Sequence, residues 1–171
     1  TVTGTVQGLQ PLLMWENDIT ALRIQTQTDD QIHSGIAPVE DYMKAEPADL
    51  MDALIRANLP FRPLTESVAS IVVSAVDTDP LYHLAHQILH EQPERVAKGL
   101  KLIKHLTGAS TVIFAVPQPL ADLLETGDDV TVVPIDPVYP NGLPELLIMR
   151  LAAQFDLKSH LFLGVETLVA A

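Results

Sequence analysis

Apolar and polar positions alternate at the start of the chain and then gather into blocks. In "TVTGTVQGL" and again in "ALRIQT" (residues 21–26) every second residue is apolar, the period of a strand with one buried face. These segments predict two short, half-buried strands, with "QPLLMWENDI" as a turn-like connection between them. The following "TQTDDQIHSGIAPVEDYMKAEP" is rich in Pro, Asp and Gly, a linker composition that places a boundary. The expected organisation is a small β-rich fragment over residues 1–30 and a larger domain over 31–171.

In the larger part the period changes. "PADLMDALIRANLP" predicts an amphipathic helix, with Leu50, Leu54 and Ala57 on one face and Met51 and Ile55 beside it. Pro47 suits the first turn and Pro60 ends the segment. "SIVVSAV" (Ser70–Val76) is continuously apolar and β-branched, as expected of a strand buried on both faces. "PERVAKGLKLIKHLTG" predicts a helix stopped by Gly108, with Lys104 and His105 in its last turns. "STVIFAVP" and "DVTVVPID" predict buried strands, "PLADLLETG" a short helix, "GLPELLIMRLAAQF" another helix and "SHLFLG" a last short strand. Strands alternating with helices give an α/β fold with a mostly parallel sheet, flanking helices and right-handed crossovers.

Composition narrows the function classes. The 171 residues carry 22 acidic against 10 basic side chains, a net charge of −12. Such a surface repels nucleic-acid phosphates and anionic lipid, and suits basic protein partners. There is no cysteine, which removes disulfides, thiolate nucleophiles and cysteine-ligated zinc or iron–sulfur centres from this chain. No apolar run approaches the roughly 20 residues of a membrane-spanning helix, and no signal segment opens the chain. The sequence begins without an initiator methionine, and "LGVETLVAA" stops within what reads as the first turn of a helix. It is expected to be part of a longer protein.

Candidate chemistry concentrates in "VVSAVDTDPLYHLAHQILH". His83, His86 and His90 fall on the helix side opposite Leu81, Leu84, Ala85, Ile88 and Leu89. His86 and His90 stand one turn apart, a spacing able to chelate a divalent cation. A catalytic metal needs a third ligand and a walled cavity, so the face reads as solvated and no metal site is assigned. Asp77 and Asp79 lie at the carboxyl end of a buried strand, where ligands bind in open α/β sheets. They can hold a hydroxyl, an amine or a cation, or can cap the following helix by accepting backbone N–H groups.

Nucleotide sites ordinarily use glycine to bring backbone N–H groups against phosphate. Here there is no GxGxxG or Walker loop, and no glycine at all between Gly35 and Gly99. The connection "ANLPFRPLTESVAS" holds two prolines and a single Arg62, which reads as a surface residue. "PVYPNGLPELLIMRL" reads as a tight turn feeding a helix with Pro144 in its first turn. No Ser/His/Asp nucleophile arrangement emerges.

The order of these motifs resembles a known family. "TVTGTVQGLQP" and "ALRIQTQTDD" resemble the end of the barrel-sandwich module at the front of the C subunit of the Rnf electron-transport complex. "LMDALIRANL", "IVVSAVDTDPL", "PERVAKGLKLIKHLTGASTVIFAV" and "VVPIDPVYPNGLPELLIMRL" resemble the next part of that subunit, in the same order. "AVDTDPL" is particularly similar to a corner of the A subunit of the sodium-translocating NADH:quinone oxidoreductase, and "GVETLVAA" to the Asn-Val-Glu-Thr-Leu segment of the complex I flavoprotein subunit. The resemblance implies a barrel-sandwich fragment over 1–30. Over 31–171 it implies a Rossmann-like domain similar to the complex I nucleotide-binding domain, truncated at its C-terminus.

In flavin-binding relatives a glycine-rich loop after the first helix cradles FMN and NADH. That position here reads "PFRPLTESVAS". The acidic corner maps onto Asp77, Thr78 and Asp79, and the Val-Glu of the last motif onto Val165 and Glu166, with Gly164 in place of the preceding asparagine. By resemblance Asp77, Thr78, Asp79 and Glu166 are the cofactor-binding positions. Two main readings follow, beside a third of a free-standing enzyme using the acidic corner. The first is a domain of a membrane-associated, ion-translocating NADH:ferredoxin or quinone oxidoreductase complex, degenerate for FMN and NADH and serving to dock other subunits. It would be cytoplasmic, peripheral to the inner membrane, without bound cofactor or catalysis of its own. The second is an active FMN/NADH electron-input domain completed by residues outside this sequence.

Overall fold

The computed structural model describes residues 4–14, 17–28, 39, 41–57, 68–123, 126–127 and 129–170. Two units divide the chain, Thr1–Ala37 and Pro38–Ala171. In the first, β1 (Gly4–Met14) and β2 (Asn17–Thr26) pair antiparallel, with a register shift between Val6 and Gly8. The strands run far into the stretch read from sequence as a connection: Leu12 pairs with Ile19 and Met14 with Asn17. Ladder hydrogen bonds override the local turn-like composition there. The expected half-burial is not found either. Val6, Leu9, Leu22 and Ile24 are 60, 72, 54 and 36 % exposed, because a two-stranded ribbon has no second layer of its own to cover a face.

The second unit opens with α1 (Pro47–Arg56), followed by β3 (Ser70–Ser74), α2 (Leu84–Glu91), α3 (Pro93–Thr107), β4 (Thr111–Pro117) and a 3₁₀ turn at Gln118–Leu123. β5 (Val130–Ile135), α4 (Pro144–Leu151), β6 (His160–Gly164) and α5 (Val165–Ala170) complete it. The four strands form one sheet in the order β5-β4-β3-β6, and all three pairings are parallel. The expected short helix after β4 is the 3₁₀ turn, where Pro119 denies the backbone a donor. The strand expected over Ser70–Val76 ends at Ser74, and the Ala75 N–H still donates to the Ala115 carbonyl of β4 at 2.8 Å.

Burial follows the strand period. Ile71, Val73, Val112, Phe114 and Val116 point to one face, where they pack with Leu50 and Leu54 of α1, Leu89 of α2, Val96, Leu100 and Ile103 of α3, and Val165 and Leu168 of α5. Val72, Val76, Ile113, Ala115 and Ile135 point to the other and meet Leu147 and Leu151 of α4 and Leu157. Two apolar faces on each central strand require helices on both sides, which gives three layers. Each fully buried aliphatic or Phe side chain contributes roughly 1.5–3 kcal/mol relative to an exposed one.

Local chemistry sets the helix ends. Pro47, Pro93 and Pro144 each occupy the first turn of a helix, where a missing N–H costs nothing. Gly108 closes α3 in the left-handed conformation at φ 64°, its N–H bonded to the Lys104 carbonyl. Gly99 lets α3 approach α5 closely: a Cβ there would lie 2.6 Å from the Leu168 carbonyl oxygen and 2.7 Å from its Cβ. Lys104 Nζ donates to Asp129 Oδ2 at 2.8 Å, tying α3 to the start of β5.

Two outcomes test this packing. Gly99→Ala should lose about 1–2 kcal/mol in urea unfolding, because overpacking costs more than the helix-propensity gain. The hydrogen bond from Lys104, aided by its charge, holds the Asp129 carboxyl below its ordinary value of 3.8. The stabilisation it gives is therefore present above that value and is lost as pH falls through the lower folded-state value. In a carboxyl NMR titration Lys104→Met should move the Asp129 midpoint back up; an unmoved midpoint contradicts the assigned cause.

Candidate functional site

The chain leaves β3 toward β4 on one side, and β6 later inserts on the other. The carboxyl ends of β3 and β6 therefore form a topological switch point, the place where parallel α/β sheets open a crevice. A crevice of about 250 Å³ lies there. Ser74, Val76, Asp77 and Thr78 line it from the end of β3, Phe162, Gly164 and Glu166 from the end of β6, and Gly142 and Pro144 from the entry to α4. Three of the four expected positions, Asp77, Thr78 and Glu166, thus come together although Glu166 is far away in sequence. Asp79 does not join them; it lines a neighbouring groove instead, with Asp77 on the border of both.

Asp77 has a structural task. Its Oδ1 accepts from the N–H of Ala85 at 2.9 Å. That donor belongs to the first turn of α2, whose N-cap residue His83 makes no side-chain cap hydrogen bond. Asp79 Oδ1 accepts from the N–H of Leu81 at 2.8 Å, and the Asp79 carbonyl accepts from Tyr82 N–H at 3.0 Å. Of the two roles open to the acidic corner, helix capping is therefore filled by Asp77, while Asp79 closes a local Asx turn. Thr78 is exposed.

Two close contacts shape the walls of the crevice. Gly142 is buried against the backbone of Asp77, so close that a Cβ would overlap the Asp77 carbonyl oxygen. Across the opening the Glu166 carboxylate folds back over Gly164 and takes the space a side chain at 164 would need. The sequence signal was present in both glycines, but only the fold shows what each of them makes room for. The connection "PFRPLTESVAS" and Arg62, by contrast, fall largely or wholly within residues 58–67, outside the described residues.

Next to the crevice the carboxyl edge opens into a groove of about 780 Å³ between the β3–α2 loop, the end of β4 and the β5–α4 loop. Its walls include Pro80, Pro117, Pro119 and Pro137, together with Tyr82 and Tyr139. The sequence assigns these prolines to separate elements, Pro117 to a strand, Pro119 to a short helix and Pro80 to the acidic corner, yet they line one groove. His83 and His86 also reach the groove. His83, His86 and His90 are exposed, and the His86 and His90 rings lie 4.7 Å apart. Leu81 and Leu84, expected on the buried side of this helix, are 90 and 44 % exposed, because the helix begins only at Leu84 and Leu81 sits in the preceding turn. Among the described residues no group of three or more His, Cys, Asp or Glu is placed to hold a metal ion.

The capping role gives a direct test. Asp77→Ala should lower unfolding free energy by about 1–2 kcal/mol, whereas Asp77→Asn, which keeps an acceptor for Ala85, should stay within about 0.5 kcal/mol of the parent. Equal losses in the two variants, read by chemical denaturation, would show that the cap is not the reason for the aspartate.

Comparison with known families places residues 55–170 within the model described as "NqrA second alpha/beta domain", more than half of the chain. No curated protein matches the sequence.

Proposed function

The chain belongs to the NqrA second α/β-domain family, NqrA being the A subunit of the Na⁺-translocating NADH:quinone oxidoreductase, and from that premise we propose that its larger unit is a scaffold domain that docks other subunits of an ion-translocating electron-transport complex and holds no flavin. In this reading the first unit is the end of a barrel-sandwich module, as in Rnf-type subunits, and the α/β unit presents its carboxyl edge to neighbouring subunits. The domain acts at the cytoplasmic side of the inner membrane and is held there by those subunits. Among the described residues no helix is long and apolar enough to cross a membrane.

The observation that carries the reading is the state of the switch point. Its crevice, at about 250 Å³, falls below the roughly 300–1,000 Å³ of small-molecule sites. The Glu166 carboxylate and the Gly142 loop are part of its walls and set that size. A flavin phosphate in this place would meet Glu166 and Asp77, two carboxylates that repel it. Among the residues lining the crevice there is no lysine or arginine to compensate.

A second reading has one specific observation in its favour. Asp77, Thr78 and Glu166 do converge on the switch point, where the nucleotide-binding relatives hold their ligand. If residues elsewhere complete that site, the chain is an FMN/NADH electron-input domain, and these three residues contact the cofactor. Calorimetric titration of the purified chain with FMN and with NADH separates the two. The scaffold reading expects a colourless protein and no saturable heat with either ligand. A flavin absorption band retained through purification, or stoichiometric FMN binding, would replace it with the second reading.

A further inference from the structure

The groove beside the crevice has a chemistry of its own. Its walls are rigid: Pro80, Pro117, Pro119 and Pro137 have a fixed backbone φ and no N–H to offer. A phosphate ligand, which needs converging backbone donors, finds few here. What the groove does present is aromatic surface and side-chain donors. Tyr82 and Tyr139 are 62 and 61 % exposed, and each carries a hydroxyl able to donate to a carbonyl oxygen. Val138, on the same wall as Tyr139, is 59 % exposed. A cluster of large exposed apolar side chains on two facing loops marks an interaction surface.

Charge selects the occupant further. Among the described residues the groove is lined by Asp77 and Asp79, with His83 and His86 beside them, and by no lysine or arginine. Oδ1 of each aspartate is engaged by a backbone N–H, which leaves Oδ2 to meet an incoming donor. The chain as a whole is strongly acidic, at −12.

We propose that this groove binds an extended, proline-containing segment of a partner protein that carries a basic residue beside its prolines. Such a segment is preformed as a polyproline II helix, has no internal hydrogen bonds, and offers bare carbonyl oxygens and ring faces to an aromatic-lined groove. Both surfaces are already ordered, so little conformational entropy is lost on association. The tyrosine rings stack on proline rings, the tyrosine hydroxyls donate to the segment's carbonyls, and Asp79 pairs with its basic side chain. The inference rests on the docking reading and names the surface and the partner chemistry through which docking occurs.

The probe is a synthetic peptide, Arg-Pro-Leu-Pro-Pro-Leu-Pro, titrated into the full isotope-labelled chain and followed by amide chemical shifts. Saturable shifts should be confined to the loops holding Asp79, Tyr82, Val138 and Tyr139. Replacing both Tyr82 and Tyr139 by Ala should weaken binding at least about tenfold, as for aromatic anchors. Asp79→Asn keeps the Asx-turn acceptor but removes the charge, and should weaken binding by about two- to fivefold, the scale of an exposed ion pair. The inference is overturned if no saturable shifts occur, if they map elsewhere, or if an alanine-for-proline peptide binds equally well. A chain that binds neither this peptide nor FMN overturns the inference alone, whereas stoichiometric FMN binding removes the scaffold reading on which it rests.

Discussion

The structure depends on β3. Its five residues are all buried, with Ile71, Val72 and Val73 at 0 % exposure, and they pair in parallel with both β4 and β6. A strand that is buried on both faces and hydrogen-bonded along both edges has no freedom of register. Everything that gives the domain a working edge follows from this. The helices must cover two faces, the connections must cross right-handed from the carboxyl end, and the point where the chain reverses its direction across the sheet must fall beside the end of β3. The acidic corner of Asp77 and Asp79 is simply what comes next in sequence.

That edge is divided into two different environments. On the β6 side the crevice is small: Gly142 presses on the Asp77 backbone, and the Glu166 carboxylate lies over Gly164. On the β4 and β5 side the edge stays open, walled by prolines and two exposed tyrosines. Asp77 stands on the border and holds the two apart by fixing the first turn of α2. The position that fold analogy marks as the ligand site is thus the smaller of the two spaces. The larger lies where rigid loops happen to converge. Fold topology locates the edge, but the side chains decide what the edge can bind.

Much of this was legible in the residues. The continuous apolar, β-branched run at Ser70–Val76, of which Ser70–Ser74 forms the strand, the glycine stop at Gly108 and the proline starts at Pro47, Pro93 and Pro144 are strong local signals. Alternation in the first unit was a weaker guide. It gave strands, but their length was set by cross-strand pairs such as Leu12 with Ile19, which no local pattern reveals. The dual reading of Asp77 could not be resolved from sequence, since its partner, the N–H of Ala85, lies eight residues on and meets it only once the loop has closed. The same holds for the groove. Pro80, Pro117, Pro119 and Pro137 belong to separate segments in sequence and line one groove in space.

The central claim is that the crevice at the switch point is too small and too acidic to admit a flavin and that the groove beside it is the binding surface. Amide shifts of Asp77, Gly142 and Gly164 in the presence of excess FMN test it most directly, since these residues frame the crevice. The account predicts that all three remain where they are in the free protein. Saturable movement of Gly142 and Gly164 together would show that the crevice opens to admit flavin, and would contradict it.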